Sequence, residues 1–226
     1  MKKILVLLFF VPLAMFSQSR NLGPASTMFA NNLGDFALQK VDKVYTSEYS
    51  NNFSGKMYLF EDWQQCIVKT NLKEEGLNFV VPCNYNLFTD QFEMKVDNEI
   101  YYLQHDVIVE IQQGNRIFIP NRNFNDENST AYMEVLGEGE KFDLVKFYDL
   151  KIKDVQSKRS LGLYEKKIMT KDKLFFVDQE SNSLIEVPRS KRKIYNILNL
   201  GSEEKKQIHG NIKRTENLIQ AVELAS

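Results

Sequence analysis

Residues 66–85 read CIVKTNLKEEGLNFVVPCNY, two runs rich in β-branched and aromatic residues on either side of Lys73-Glu74-Glu75-Gly76. Short apolar runs broken by turn residues in this way predict two antiparallel strands of one hairpin. A turn centred between Glu74 and Glu75 sets Cys66 directly opposite Cys83. The same face then carries Val68, Phe79, Val81, Tyr85 and Leu87, so both sulfurs lie on the apolar side of the sheet. Facing cross-strand residues have Cβ atoms about 4.5–5.5 Å apart. A disulfide between Cys66 and Cys83 is therefore expected, closing a loop of about seventeen residues and contributing about 3 kcal/mol. The alternative is a pair of buried thiols. A redox role would want an exposed Cys-x-x-Cys, which the sequence lacks.

The hairpin rhythm continues on both sides. From Trp63 to Tyr148, runs of Val, Ile, Phe and Tyr alternate with turn signals at Asp97-Asn98, His105-Asp106, Gln113-Gly114-Asn115 and Gly137-Glu138-Gly139. Asp, Asn and Gly tolerate the positive φ of tight turns, which gives these assignments a mechanism. A polar loop from Pro120 to Thr130 interrupts the rhythm, and a weaker pair of runs, Leu174 to Val177 and Leu184 to Val187, follows. At least nine strands are expected. Past Pro188 the apolar period becomes three to four, at Ile194, Ile197 and Leu198, then Ile208 and Ile212, then Leu218, Ile219 and Val222. These are short amphipathic helices. Ser202 before Glu203-Glu204 and Thr215 before Glu216 read as their N-terminal caps, and Gly210 weakens the middle one. The expected fold is mostly β (α+β): an antiparallel meander sheet or partly closed barrel with short C-terminal helices.

The first eighteen residues predict a secretory signal peptide. Lys2 and Lys3 precede the apolar run Ile4 to Phe16, and Ser17-Gln18 gives a small, polar exit. Thirteen residues at about 1.5 Å rise fall short of the roughly 30 Å hydrocarbon core. Lipid anchoring would need a cysteine at the new N-terminus, and the first one is Cys66. The expected organisation is thus a signal peptide over 1–18, a partly irregular N-terminal segment over 19–56, an antiparallel β domain over 57–188, and a helical segment over 189–226 that packs on the sheet or on a partner. The mature chain is expected in the periplasm or outside the cell, without a transmembrane segment.

Charge is uneven along the chain. The formal net charge of -1 includes the two leader lysines, and residues 19–140 hold 9 Lys+Arg against 18 Asp+Glu. Residues 141–193 hold 14 against 8, including Lys158-Arg159, Lys166-Lys167 and the run Arg189-Ser190-Lys191-Arg192-Lys193. Arg189, Lys191, Arg192 and Lys193 form a candidate basic contact patch for an envelope protein, a glycan or a lipid; export argues against nucleic acid. The alternative is a solvated face that complements the acidic half of the same molecule.

Catalytic patterns are few. With only His105 and His209, and no His-Glu-x-x-His or Cys-x-x-Cys spacing, no metal site is expected. No Gly-x-Ser-x-Gly, Walker or dinucleotide-binding glycine pattern occurs, so no cofactor is expected either. His105 beside Asp106 reads as an exposed turn histidine. Asn123, Asn125, Glu127 and Glu134 fall at positions 1, 3, 5 and 12 of a calcium loop, but the first lacks Asp and Asn128 replaces the central Gly. The aromatics Tyr58, Phe60, Trp63, Tyr85, Phe88, Phe92, Tyr101 and Tyr102 read as cross-strand pairs and core before they read as a ligand platform.

The stretches Gly55 to Trp63 (GKMYLFEDW), Asn84 to Glu93 (NYNLFTDQFE) and Tyr132 to Glu140 (YMEVLGEGE), with the lysine-rich helical tail and the Phe16-Ser17-Gln18 leader end, resemble a group of uncharacterised exported proteins of Bacteroidetes bacteria. The resemblance spans most of the mature chain and implies export. It carries no activity and no site residue. Two functional expectations result: a non-catalytic envelope protein that binds a protein, glycan or lipid through a sheet face or the basic segment, and, as the alternative, an envelope hydrolase using dispersed carboxylates around Asp90, His105 and Asp106.

Overall fold

The computed structural model describes residues 38–40, 53–71, 77–96, 99–122, 131–158 and 163–225. The leader, the Asn123–Asn128 part of the calcium-like loop and most of the 19–56 segment lie outside these residues. The strands are β1 (Leu38–Lys40), β2 (Phe53–Ser54), β3 (Gln64–Thr70), β4 (Leu77–Asn86), β5 (Gln91–Val96), β6 (Glu99–Leu103), β7 (Ile108–Gln113), β8 (Arg116–Pro120), β9 (Tyr132–Gly137), β10 (Phe142–Lys158), β11 (Leu163–Asp178) and β12 (Ser183–Glu186). Helices α1 (Lys191–Ile197), α2 (Ser202–Gln207) and α3 (Thr215–Glu223) follow. The molecule is mostly β, as expected, with one open sheet in the order β1-β6-β5-β4-β3-β7-β8-β9-β10-β11-β12. Pairing along this path is antiparallel, and β2 adds a two-residue parallel bridge to β11.

The path departs from a simple meander at His105-Asp106, which is not a hairpin turn. β6 and β7 are joined by residues 104–107 only, yet β5, β4 and β3 stand between them. On a flat sheet four strand spacings amount to about 19 Å, more than the roughly 17 Å that so short a link spans. The sheet must therefore curl. The curl shows in the core, where Val68 (β3), Val81 and Tyr85 (β4), Phe92 and Met94 (β5), Ile111 (β7), Phe118 (β8), Tyr132 (β9) and Tyr148 (β10) form one buried cluster. Phe92 is its centre, with ring centroids 5.0 Å from Phe118, 5.1 Å from Tyr85 and 5.2 Å from Tyr132. Tyr85 and Phe92 are thus core residues, while Phe60 and Tyr101 pack against the cluster as partly buried neighbours.

The disulfide between Cys66 and Cys83 is present, with Cα atoms 5.8 Å apart and both residues fully buried. The expected register is corrected. Cys66 faces Val81 and Gln64 faces Cys83, so the cysteines are diagonal neighbours and not directly opposed. A slip of one residue would have turned Val68 and Val81 to solvent; a slip of two keeps every side chain on its face, so apolar patterning cannot distinguish the two registers.

The basic stretch between Tyr148 and Leu174 is itself strand. The runs 141–148 and 174–177 are the inner ends of one hairpin, in which β10 and β11 keep register from Phe142↔Asp178 to Gln156↔Tyr164. The helical caps are corrected as well. Ser202 and Thr215 are the first residues of their helices, Gly201 and Arg214 precede them, and neither helix has a side-chain cap hydrogen bond. Glu203 and Glu204 in the first turn of α2 and Lys205 and Lys206 in its last still complement the helix dipole. Gly210 lies beyond α2, in the link to α3, at φ 100°.

Candidate functional site

The helical cap packs on one face of the outer sheet. Ile194 and Leu198 from α1 and its C-terminal cap, Ile208 and Ile212 from the link between α2 and α3, and Leu218, Ala221 and Val222 from α3 bury against Leu144 of β10 and Phe176 of β11. Two glycines let α3 approach. A Cβ at Gly139 would lie 2.5 Å from the Val222 carbonyl oxygen, and one at Gly137 would lie 2.9 Å from Ile219 Cγ2. Pro188 and Arg189 link β12 to α1 alongside the middle of β11, and a cleft of about 470 Å³ remains between that strand and the cap.

This cleft gathers charge from three separate parts of the chain. Lys171 and Lys173 come from β11, Arg189 from the β12–α1 link and Lys213 from the turn before α3, against Asp172 and Glu186 as the acids lining it. Leu174, Val187, Ile194 and Leu218 supply apolar lining. A concave surface with an apolar floor and a few convergent polar groups is the usual form of a binding site, and here the polar groups are mainly cationic. Of the expected patch, only Arg189 lines the cleft. Lys191 lies over the Tyr195 ring at 5.3 Å, joined by Lys205 at 5.4 Å from α2, and Arg192 and Lys193 are exposed on α1. Lys171, Lys173, Lys205 and Lys213 are not distinguishable in sequence from other surface lysines, because what unites them is the docking of the cap.

The expected carboxylate site assembles only in part. Asp90, in the left-handed region at φ 52°, lines a small cleft of about 50 Å³ with Asp149 and Lys173. Burial pushes its carboxyl up to about 6; Asp149 adds to the shift, while a 3.3 Å hydrogen bond donated by Tyr85 Oη opposes it. Asp149 pairs with Lys173 at 3.0 Å. The His105 ring packs edge-on to Tyr132 at 5.2 Å, and its Nε2 donates to the carbonyl of Ala131 at 3.3 Å. Burial lowers the His105 pKa. Asp106 is exposed. Neither His105 nor Asp106 lines the Asp90 cleft.

Two buried carboxylates sit in hydrogen-bond networks that no spacing in the sequence announces. Glu134, 5% exposed, receives two hydrogen bonds from Arg116 at 2.7 and 2.9 Å, one from Tyr148, and an ion pair from Lys146 at 2.7 Å. Burial alone would raise its pKa, but the hydrogen bonds from Arg116, Lys146 and Tyr148 outweigh it and hold the carboxyl below its ordinary 4.5. Glu134 is therefore committed to Arg116, Lys146 and Tyr148. Glu93 accepts from Tyr58 Oη at 2.7 Å and from Asn86 Nδ2 at 2.6 Å. Among the described residues, no three His, Cys, Asp or Glu side chains gather as metal ligands, and no helix is long and apolar enough to cross a membrane.

No protein-family model matches the chain, and no curated protein or solved structure matches it either.

Proposed function

We propose that this chain is an exported, non-catalytic binding module, akin to the uncharacterised exported Bacteroidetes proteins it resembles, that captures an anionic partner in the cleft between β11 and the helical cap. The observation that carries this reading is the convergence of Lys171, Lys173, Arg189 and Lys213 on one concavity over an apolar floor. An anion there meets cations from both walls, and its apolar part meets Ile194 and Leu218. The Cys66–Cys83 disulfide supports export, because such bonds persist in oxidising compartments.

The test uses the chain from residue 19 onward, incubated with separated envelope fractions and recovered by sedimentation or pull-down. Reversing Arg189 and Lys213 to Glu is expected to abolish retention, and reversing Arg192 and Lys193, which lie outside the cleft, to weaken it less. Unchanged retention by the Arg189→Glu/Lys213→Glu variant would remove the reading.

The hydrolase remains as a second reading because Asp90 stays protonated to about pH 6 beside a lysine-paired Asp149, an arrangement that general acid catalysis uses. Their shared cleft of about 50 Å³ holds a few water molecules and no sugar ring or peptide unit.

A further inference from the structure

Beyond Phe147 and Lys173 the β10–β11 hairpin leaves the sheet. β9 pairs with β10 only at Leu144–Lys146, and β12 pairs with β11 only at Phe175–Asp178. From Asp149 to Lys158, about 30 Å at strand rise, the two strands pair with each other and, at Lys166–Lys167, with the two residues of β2. The result is a two-stranded arm.

Its two faces differ. In an antiparallel pair, facing residues share a face and alternate residues follow them. One face carries Tyr148 in the core and Leu150 packed against it, then Ile152 opposite Ile168, then Asp154 opposite Lys166. Ile168 is buried, with Gly55 so close that a Cβ there would lie 2.7 Å from the Ile168 carbonyl oxygen. This face is packed at Tyr148, Leu150 and Ile168, leaves Ile152 45% exposed, and is mixed in sign at Asp154 and Lys166. The other face carries, row by row, Lys171 opposite Asp149, Lys151 opposite Met169, and Lys153 opposite Lys167. Asp149 is engaged by Lys173. Lys151, Lys153, Lys167 and Lys171 are exposed, and Met169 in their midst is 42% exposed. Glu165, opposite Val155, takes the next row outward.

Two features of this face are not favoured by strand pairing itself. Like charges directly opposite each other destabilise a strand pair, yet Lys153 faces Lys167 at a position where the opposite face of the same arm sets Asp154 against Lys166. Met169 likewise stands 42% exposed, with Lys151 opposite it and Lys167 and Lys171 two residues away on its own strand. Both features suit a plane of negative charge lying over an apolar layer. We infer that this face of the arm docks on an anionic lipid bilayer, with the four lysines on headgroups and Met169 entering the interfacial layer.

Charge complementarity admits other polyanions, and the side-chain chemistry decides among them. The four cations are all lysines, compact point charges without the planar fork that arginine uses for bidentate or stacked contacts. No aromatic ring stands among the rows from Asp149 to Lys153 and Lys167 to Lys171 for a base or sugar to stack on. The disulfide fits an exported chain, and outside the cell nucleic acid is scarce. Lys171 stands where this surface meets the cleft, but Lys151, Lys153, Lys167 and Met169 do not line the cleft.

The test is co-flotation of the chain from residue 19 onward with vesicles of phosphatidylcholine alone and of phosphatidylcholine with about 30% phosphatidylglycerol, at low and high salt. Binding is expected to the anionic vesicles only and to fall with salt. With each headgroup-bound lysine contributing about fivefold, Lys151→Gln/Lys153→Gln/Lys167→Gln lowers partitioning about 100-fold. The Lys→Arg triple variant keeps binding, which separates lost charge from lost folding, and unchanged circular dichroism of the Gln variant confirms that separation. The inference is overturned if the native chain prefers neither vesicle, if the Gln variant binds as well as the native chain, or if arm-dependent binding is found to an acidic polysaccharide or to DNA and not to vesicles. Retention of envelope partners by the Gln variant, alongside its loss by Arg189→Glu/Lys213→Glu, shows that the two surfaces act separately, so either can fail alone.

Discussion

The curled body and the projecting arm are both built from antiparallel strands, but their residues answer to different demands. In the body, the inward positions of β3, β4 and β5 are apolar and buried: Cys66, Val68, Val81, Cys83, Phe92 and Met94 are each 0 or 1% exposed. In the arm, one face sets exposed lysines at alternate positions, Lys151 and Lys153 on β10 and Lys167 and Lys171 on β11, with Met169 between the last two. The contrast teaches where to look for function. Where packing dictates the residue, its identity reports the fold; where packing is indifferent, a repeated choice of one charge reports something outside the chain.

Substitutions can break this comparison, and the largest effect belongs to the body. Phe118→Ala removes a fully buried ring that touches Phe60, Tyr85 and Phe92, and a loss of about 3–5 kcal/mol is expected in urea denaturation. Ile152→Ala in the arm, starting from 45% exposure, is expected to change stability by less than about 0.5 kcal/mol. Comparable losses would mean that the arm is part of the core. The disulfide comes next: Cys66→Ala/Cys83→Ala is expected to cost about 2–4 kcal/mol, and dithiothreitol should lower the midpoint of the native chain while leaving that of the variant unmoved.

Glu134→Gln follows, at about 1–3 kcal/mol near neutral pH, because Arg116 and Lys146 lose their shared carboxylate in a half-buried setting. The sign with pH is fixed by the direction of the shift. A carboxyl held below 4.5 in the folded chain contributes fully above that value and loses its contribution as pH falls through the folded value. The gap between native chain and variant should therefore close in acid, and a gap that widens there would contradict the network.

The body is legible in sequence because its inward positions are consistently apolar, and the face shared by Cys66, Val68, Val81 and Tyr85 can be read off directly even though Ile67 and Val80 are apolar on the outward side. Register is not legible, since a shift of two residues preserves that face. The order of strands is hidden too: nothing in Gln104 to Val107 says that β7 crosses to the far side of β3. The arm escapes a sequence reading because Lys151, Lys153, Lys167 and Lys171 alternate with residues of mixed character, which weakens the period-two signal to that of a polar loop. The cleft is legible only at Arg189, because its other cations meet through docking of the cap.

Asp90→Asn moves stability the other way. A carboxyl raised to about 6 makes the folded chain hold a proton that the unfolded chain releases from about 3.8, so stability falls as pH rises between these values. Asn keeps the left-handed backbone and a partner for Tyr85 without the charge. A gain of about 1–2 kcal/mol is expected near neutral pH and none in acid below the unfolded value. A gain independent of pH would show that burial of the charge is not its origin.

The smallest expected effect tests the arm itself. Lys153→Glu replaces a like-charge pair across from Lys167 by an opposite one, at an exposed site on the arm. Stability should rise by about 0.2–0.5 kcal/mol at low salt and less at high salt, where exposed charges are screened. The same substitution should weaken partitioning onto anionic vesicles, since it removes one positive charge and adds a negative one within the lysine face. A change that improves folding while impairing binding is the signature of a residue kept for its partner. If Lys153→Glu instead destabilised the arm, the lysine pair would have a structural role and the difference between the two regions would lose its functional meaning.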